Sequence, residues 1–142
     1  MLTSLLIIPI LGSLIISIIP ETTLSSKQTI KQIGLLTSMI NLAISIILLV
    51  LYDSNTLEYQ FVSEFANLSF CHFYIGCDGL SILYVLLTTI ITPIALLSNY
   101  NNLSLTASRK SVKFFVISFL LLETLQIALF IVLDLVLFYI CF

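Results

Sequence analysis

Four long stretches of the sequence are apolar and almost free of charge. They cover residues 2–19, 33–52, 79–97 and 114–133, and a fifth, shorter stretch covers 135–142. A helix needs about 20 apolar residues to cross the hydrocarbon core of a bilayer. Over the 142 residues, 60% are hydrophobic and only 8% are charged, which excludes an ordinary soluble domain. The sequence therefore predicts an all-α, polytopic transmembrane helix bundle, with four complete spans plus the start of a fifth, as a single membrane domain over 1–142.

The basic residues predict the orientation of the spans. All five lie in two connections, after the first span and before the fourth: Lys27, Lys31, Arg109, Lys110 and Lys113. Connections rich in Lys and Arg stay on the cytoplasmic side or its organellar equivalent. The connection between the second and third spans contains Asp53, Glu58 and Glu64 and no basic residue. We therefore expect that acidic connection, together with the Asp134 region, on the opposite side of the membrane.

The acidic connection also predicts structure other than helix. Its segment LSFCHFYIG, residues 68–76, is rich in aromatic and small residues and favours a short β-hairpin between spans two and three. Asp78 precedes the third span and Asp134 precedes the fifth, and aspartate is a favourable N-cap. A single helix over 114–142 would be roughly 43 Å long, against a hydrocarbon core of about 30 Å. We therefore expect the chain to break and reverse at Asp134.

Glu123 is the one charged residue near the middle of a predicted span. A charge at a helix centre costs about 2.5–3.5 kcal/mol on insertion scales, so this side chain should face protein or water. Gln126, three residues on, would share its face and could hydrogen-bond it. Two interpretations stay open for Glu123, a proton-relay group or a neutral glutamate that ties two helices together. Asp134 likewise is either a helix cap or a group at a proton entry or exit.

No residue pattern in the sequence predicts a cofactor. Cys71, His72 and Cys77 lie close together but form no CxxC pair, and metal binding is not expected. Ligands for haem, iron–sulfur clusters or flavin are not recognisable, so the chain is predicted to perform no redox chemistry itself. Five Lys and Arg form no basic stripe for nucleic acid. The lipid bilayer is the expected partner.

Three stretches resemble subunit 4 of NADH:ubiquinone oxidoreductase, respiratory complex I. They are LLIIPILGSLIISIIP (5–20), YIGCDGLSILYVLLTTIITPIALL (74–97) and FLLLETLQIALFIVLDLVLFYICF (119–142). The resemblance implies the N-terminal part of an antiporter-like, proton-pumping bundle in the mitochondrial inner membrane. The complex would couple electron transfer from NADH to ubiquinone to proton translocation. Implied partners are the other membrane-arm subunits and the remainder of the same subunit.

The resemblance also transfers site residues, one position at a time. Asp134 matches the family's carboxylate at the start of helix five, and Glu123 falls where the family varies between Glu and neutral residues. In the family, the pumping glutamate directly follows the position matched by Phe142. This glutamate and the family's intramembrane lysines are absent from this sequence. Two alternatives remain, a sodium/proton antiporter subunit, which shares this module, and a structural membrane scaffold. A bacterial plasma membrane is the alternative location.

Overall fold

The computed structural model describes residues 2–20, 24–53, 59–68, 71–99 and 112–142. Its helices are α1 (Leu2–Ile18), α2 (Leu24–Leu51), α3 (Gly79–Ser98), α4 (Val112–Ile131) and α5 (Leu135–Cys141). An antiparallel hairpin of β1 (Gln60–Leu68) and β2 (Cys71–Cys77) lies between α2 and α3. Helices α2, α3 and α4 are long and apolar enough to cross a membrane, and α1 is a shorter apolar helix of 17 residues. The predicted fold class and the predicted hairpin are confirmed.

Two of the differences between the helix ends and the predicted spans have a clear structural cause. Helix α2 begins at Leu24 rather than at residue 33, because its polar first turns contain no Gly or Pro and continue the apolar helix without a break. Helix α4 ends at Ile131 rather than at residue 133. There the amide of Leu133 donates to the carbonyl of Tyr74 in β2, at 3.0 Å, instead of continuing the helical ladder.

Two apolar clusters occupy opposite ends of the bundle. The hairpin-end cluster joins both strand and helix residues: Leu2, Leu5, Leu48, Ile75, Cys77, Ile82, Val85, Ile127 and Ile131. The far-end cluster contains only helix residues: Ile16, Ile30, Leu96, Val112, Val116 and Leu120. Each of α1 to α4 contributes to both clusters. Helices α1 and α3 run from the hairpin-end cluster to the far-end cluster, and α2 and α4 run in the opposite direction. The four long helices are therefore antiparallel to their sequence neighbours.

The break between α4 and α5 is fixed by the hairpin. Ile75 of β2 forms an isolated bridge with Val132, directly after the end of α4. Gly76 allows this approach, since a Cβ there would lie 2.7 Å from Cδ1 of Leu133. Asp134 then adopts extended backbone, and its carboxylate accepts from the amide of Val136 at 3.2 Å to start α5. The predicted break and the predicted cap at Asp134 are confirmed.

Apart from Glu123, the charged residues that the structure describes separate between the two ends of the bundle. Lys113, at the start of α4, donates from Nζ to the carbonyls of Ser17 and Ile19, which terminate α1. A cation at a helix C-terminus satisfies its last carbonyls and opposes the helix dipole. Asp78 caps α3 at the hairpin end, accepting from the amide of Gly79 at 2.7 Å. Arg109, Lys110 and Glu58 lie outside the described residues. Which end faces which compartment stays a prediction.

Gly34 sets the closest approach of α2 to α4. A Cβ at this position would lie 2.3 Å from Cγ1 of Val116. Lipid chains are as apolar as these side chains, so helix association in a bilayer depends on such close backbone packing rather than on a hydrophobic driving force. The separation of these two helices is therefore determined by the missing side chain at Gly34.

We expect Gly34→Ala to destabilise the bundle by about 1–3 kcal/mol, the usual cost of overpacking a core. Val116→Ala removes the clashing methyl, so Gly34→Ala should cost less in that background than in the wild type. The measurement is the unfolding midpoint in lipid–detergent bicelles for both single variants and the double variant. Ala43→Val on the exposed side of α2 is the control and should have little effect. Additive effects of the Gly34 and Val116 changes would contradict the proposed contact.

Candidate functional site: a buried polar layer

A layer of buried polar side chains lies between the two apolar clusters. Its members come from three helices: Ser38, Asn41 and Ser45 of α2, Thr89 and Thr92 of α3, and Glu123 and Thr124 of α4. On α4, Glu123 follows Leu120 of the far-end cluster and precedes Ile127 of the hairpin-end cluster. The layer therefore lies near mid-bundle, at the depth where lipid would surround the helices.

Helical periodicity explains why these residues meet. Along α4 the buried positions recur every three or four residues, at 116, 120, 123, 127 and 131. The same spacing places 85, 89, 92 and 96 on one face of α3. Residues spaced in this way form one stripe along a helix. The polar residues thus occupy the middle of the stripes whose two ends build the apolar clusters.

The central contact of the layer joins Glu123 to Asn41. Asn41 donates from Nδ2 to Oε1 of Glu123 at 2.8 Å, and both side chains are 0% exposed. The expectation that Glu123 faces protein is thus met. The suggested partner was wrong, because Gln126 is exposed and lies beside a surface cavity of about 340 Å³ that Thr88 and Cys141 also line. The buried stripe continues through Ile127, one residue further on.

The hydroxyl groups of the layer are bonded mainly within their own helices. Thr92 donates to the carbonyl of Thr88 at 3.0 Å, and Thr124 donates to that of Leu121 at 2.7 Å. Such bonds satisfy a buried hydroxyl locally without a partner helix. Ser45 and Thr89 are the exception, because their oxygens also lie 2.7 Å apart across α2 and α3. Within the layer, this pair is the second polar link between helices, after Asn41 and Glu123.

Two buried oxygens of the layer lack a hydrogen-bond partner among the described residues. They are Oδ1 of Asn41 and Oε2 of Glu123, the two atoms left over from the bond between these side chains. The hydroxyl of Thr92 is a hydrogen-bonding neighbour of the carboxyl group and also contacts the carbonyl of Thr88 in its own helix. Buried polar atoms are nearly always paired, so two unpaired acceptors at one place mark a site where something further binds.

Asp134 is not brought together with Glu123. The two are separated by about two turns of α4 and by the hairpin-end cluster, and Asp134 is half-buried at the start of α5. It borders a surface cavity of about 280 Å³ together with Leu133 and Phe138. Its cap to Val136 confirms the structural interpretation, and a role in a proton path stays a prediction.

Of the group Cys71, His72 and Cys77, the structure describes the side chain of Cys77, which is buried. Burial, assisted by the adjacent negative Asp78, raises the pKa of the Cys77 thiol to about 11. A thiol must lose its proton to bind metal, so this residue is a poor ligand. The side chains of Cys71 and His72 lie outside the described part of the chain.

Sequence reasoning missed Asn41, the partner of Glu123. A signal was present, because Asn41 is the one carboxamide inside the apolar part of the second span and lies between Ser38 and Ser45 at helical spacing. A polar stripe of this kind inside a membrane-length helix indicates a face turned towards protein. The pairing itself depends on how α2 and α4 pack.

The fold and the polar layer define a multi-pass helical membrane protein with a buried carboxyl group in its core. No protein-family model matches the chain. It is 49% identical over 142 residues to the NADH-ubiquinone oxidoreductase chain 4 of Mycosarcoma maydis, covering 100% of this chain and 28% of that protein. It is 38% identical over 143 residues to the chain of the same name in Arabidopsis thaliana, covering 99% and 27%. NADH-quinone oxidoreductase subunit M of Rhodobacter capsulatus is 35% identical over 118 residues, covering 83% and 22%.

The chain belongs to the NADH-ubiquinone oxidoreductase chain 4 family. It spans about a quarter of the length of the relatives it matches. The membrane-length helices and these relatives together make it a multi-pass protein of the mitochondrial inner membrane. The resemblance to subunit 4 is thereby confirmed, and the names of the relatives favour it over a sodium/proton antiporter.

We expect the Ser45–Thr89 contact to show measurable coupling. In a double-mutant cycle, Ser45→Ala and Thr89→Val should couple by roughly 0.6 kcal/mol, and by no more than about 1.7, the range measured for such bonds in membranes. The readout is the free energy of unfolding in bicelles. Ser38→Ala combined with Thr89→Val is the matched control and should be additive, because Ser38 donates to the carbonyl of Leu35. Equal coupling in both cycles would contradict a direct Ser45–Thr89 bond.

Proposed function

We propose that this chain is part of a core membrane subunit of NADH:ubiquinone oxidoreductase and contributes to proton translocation driven by electron transfer from NADH to ubiquinone. The observation that carries the proposal is the 49% identity over the whole chain to an NADH-ubiquinone oxidoreductase chain 4. Its partners would be the other membrane subunits of the complex and the remainder of its own subunit. Exposed apolar residues on α1 to α5 would face those partners or lipid.

The redox chemistry would take place on other subunits. Moving one charge against the membrane potential requires about 2.3 kcal/mol per 100 mV, which redox reactions elsewhere in the complex would have to supply. Among the described residues there is no group of three or more metal-ligating side chains. The contribution of this chain would be to hold ionisable groups in a defined packing within the membrane.

Glu123 is the residue with which this chain would exchange protons. It is the one ionisable side chain in the buried polar layer, and one of its carboxylate oxygens has no partner among the described residues. Asp134 would act nearer the surface, at the start of α5. Ionisable groups inside a membrane bundle are costly to place and typically serve ion or proton pathways.

We expect Glu123→Gln, in the complete subunit within its assembled complex, to lower the number of protons translocated per NADH oxidised. The carboxamide keeps the shape of the side chain and removes the titratable group. Asp134→Asn should have a smaller effect of the same sign, since asparagine is an equally good N-cap and only the charge is lost. The measurement is proton uptake against NADH oxidation in sealed membrane vesicles.

Ser118→Ala is the control on α4, since its hydroxyl bonds only the carbonyl of Phe114 within the same helix. It should leave both proton translocation and NADH oxidation unchanged. Wild-type proton yield in both the Glu123 and the Asp134 variants would contradict the assignment of these residues to the path. If the complete subunit assembles only into complexes that do not oxidise NADH, the proposed membership in this oxidoreductase is contradicted.

A further inference from the structure

The contact between Asn41 and Glu123 has one hydrogen-bond donor too few when Glu123 is ionised. An ionised carboxylate offers only acceptors, and a carboxamide offers two donors on nitrogen and one acceptor oxygen. Once Nδ2 of Asn41 has donated to Oε1 of Glu123, the remaining atoms Oδ1 and Oε2 are both acceptors without a donor. Rotating the amide by half a turn does not help, because it places oxygen against oxygen. The ionised pair therefore cannot satisfy itself in either orientation.

Neighbouring hydroxyl groups cannot supply a donor to both orphaned atoms. Each hydroxyl has a single proton, and the carboxyl group of Glu123 and the carbonyl of Thr88 compete for that of Thr92. Ser45 and Thr89 share two protons among their mutual contact and the carbonyls of Leu42 and Leu86. Even if Thr92 turned to Oε2 of Glu123, Oδ1 of Asn41 would still lack a donor. The deficit therefore belongs to the pair itself.

The packing around the pair also excludes larger donors and cations. Both side chains are 0% exposed, so no water-sized space adjoins either of them. A buried water needs such a space and several polar partners. A sodium ion needs room for several oxygen ligands as well. A proton is the one cation that occupies no additional volume.

We infer that Asn41 and Glu123 form a closed acid–amide pair that binds one proton. The carboxylate of Glu123 takes up a proton from water during folding, on Oε2, and the new O–H donates to Oδ1 of Asn41. The bond from Nδ2 of Asn41 to Oε1 of Glu123 is retained. One proton thus satisfies both orphaned atoms and adds a second hydrogen bond between α2 and α4. Asn41 is then the residue that positions the proton on Glu123.

Infrared difference spectroscopy on the full 142-residue chain in lipid bilayers at neutral pH tests this inference. We expect a carboxylic-acid carbonyl band in the wild type that is absent in Glu123→Gln. In Asn41→Leu the band should persist but move to higher frequency, because the acid carbonyl loses the amide donor. Ser38→Ala should leave the band in place. Ser38 is equally buried on α2 but is bonded to Leu35.

Three results would overturn the inference. If Glu123→Gln and the wild type show the same carboxylic-acid bands, the carboxyl group of Glu123 is ionised. An unchanged frequency in Asn41→Leu would show that Asn41 is not its partner. A band that is present in N-methylglucamine chloride and disappears in sodium chloride would identify a metal cation in place of the proton.

The stability of two Glu123 variants provides a second test, should Asn41→Leu fail to fold. Glutamine completes an equivalent pair with Asn41, so Glu123→Gln should unfold close to the wild type and clearly above Glu123→Leu. Equal unfolding midpoints for the Gln and Leu variants would contradict the acid–amide pair. These measurements need no NADH and no partner subunit. These results can contradict the acid–amide pair without contradicting the proposed role in proton translocation. Loss of the proposed role would likewise leave the acid–amide pair untouched.

Discussion

The hydrogen bond between Asn41 and Glu123 restricts how α2 and α4 can pack against each other. A carboxyl group at mid-membrane depth cannot face lipid without a large cost, so α4 must turn Glu123 towards another helix. Helix α2 provides the partner, and Gly34 lets α2 approach α4 closely two turns away. The apolar clusters then form above and below this contact, on the same helix faces. The polar centre thus sets the rotation of α2 and α4, and the apolar residues complete the packing around it.

The hairpin meets a different constraint, the backbone groups exposed where α4 ends. A chain that leaves a helix inside or near a membrane must satisfy its amides and carbonyls with protein atoms. Here the carbonyl of Tyr74 in β2 accepts from the amide of Leu133, and the carboxylate of Asp134 accepts from the amide of Val136 in α5. Two short elements with little core of their own therefore fix where one long helix stops and the next begins.

Local rules predicted most of the fold. Span length, the length limit on 114–142 and the capping preference of aspartate were enough to predict the helices, the hairpin and a break at Asp134. The contact of β2 with Leu133 that holds this break depends on tertiary packing and was not predicted. The partner of Glu123 depended on packing between helices. Gln126 was wrong because a three-residue spacing permits one shared face but does not fix where the buried stripe lies, and here the stripe continues through Ile127. Asn41 lies on a different helix, and only the packing of α2 against α4 reveals it.

The two interpretations of Glu123 need not exclude each other. Glu123 can both join two helices as a neutral acid and exchange protons if the exchangeable proton is the one in the hydrogen bond between the helices. In the acid–amide pair, loss of that proton removes one of the two bonds between Asn41 and Glu123 and leaves Oδ1 of Asn41 and Oε2 of Glu123 without a donor. Deprotonation would then weaken the contact that orients both helices, so proton occupancy and helix packing would be linked thermodynamically. A charge change at the centre of the bundle would in this way be transmitted to its helices without any change in the apolar clusters.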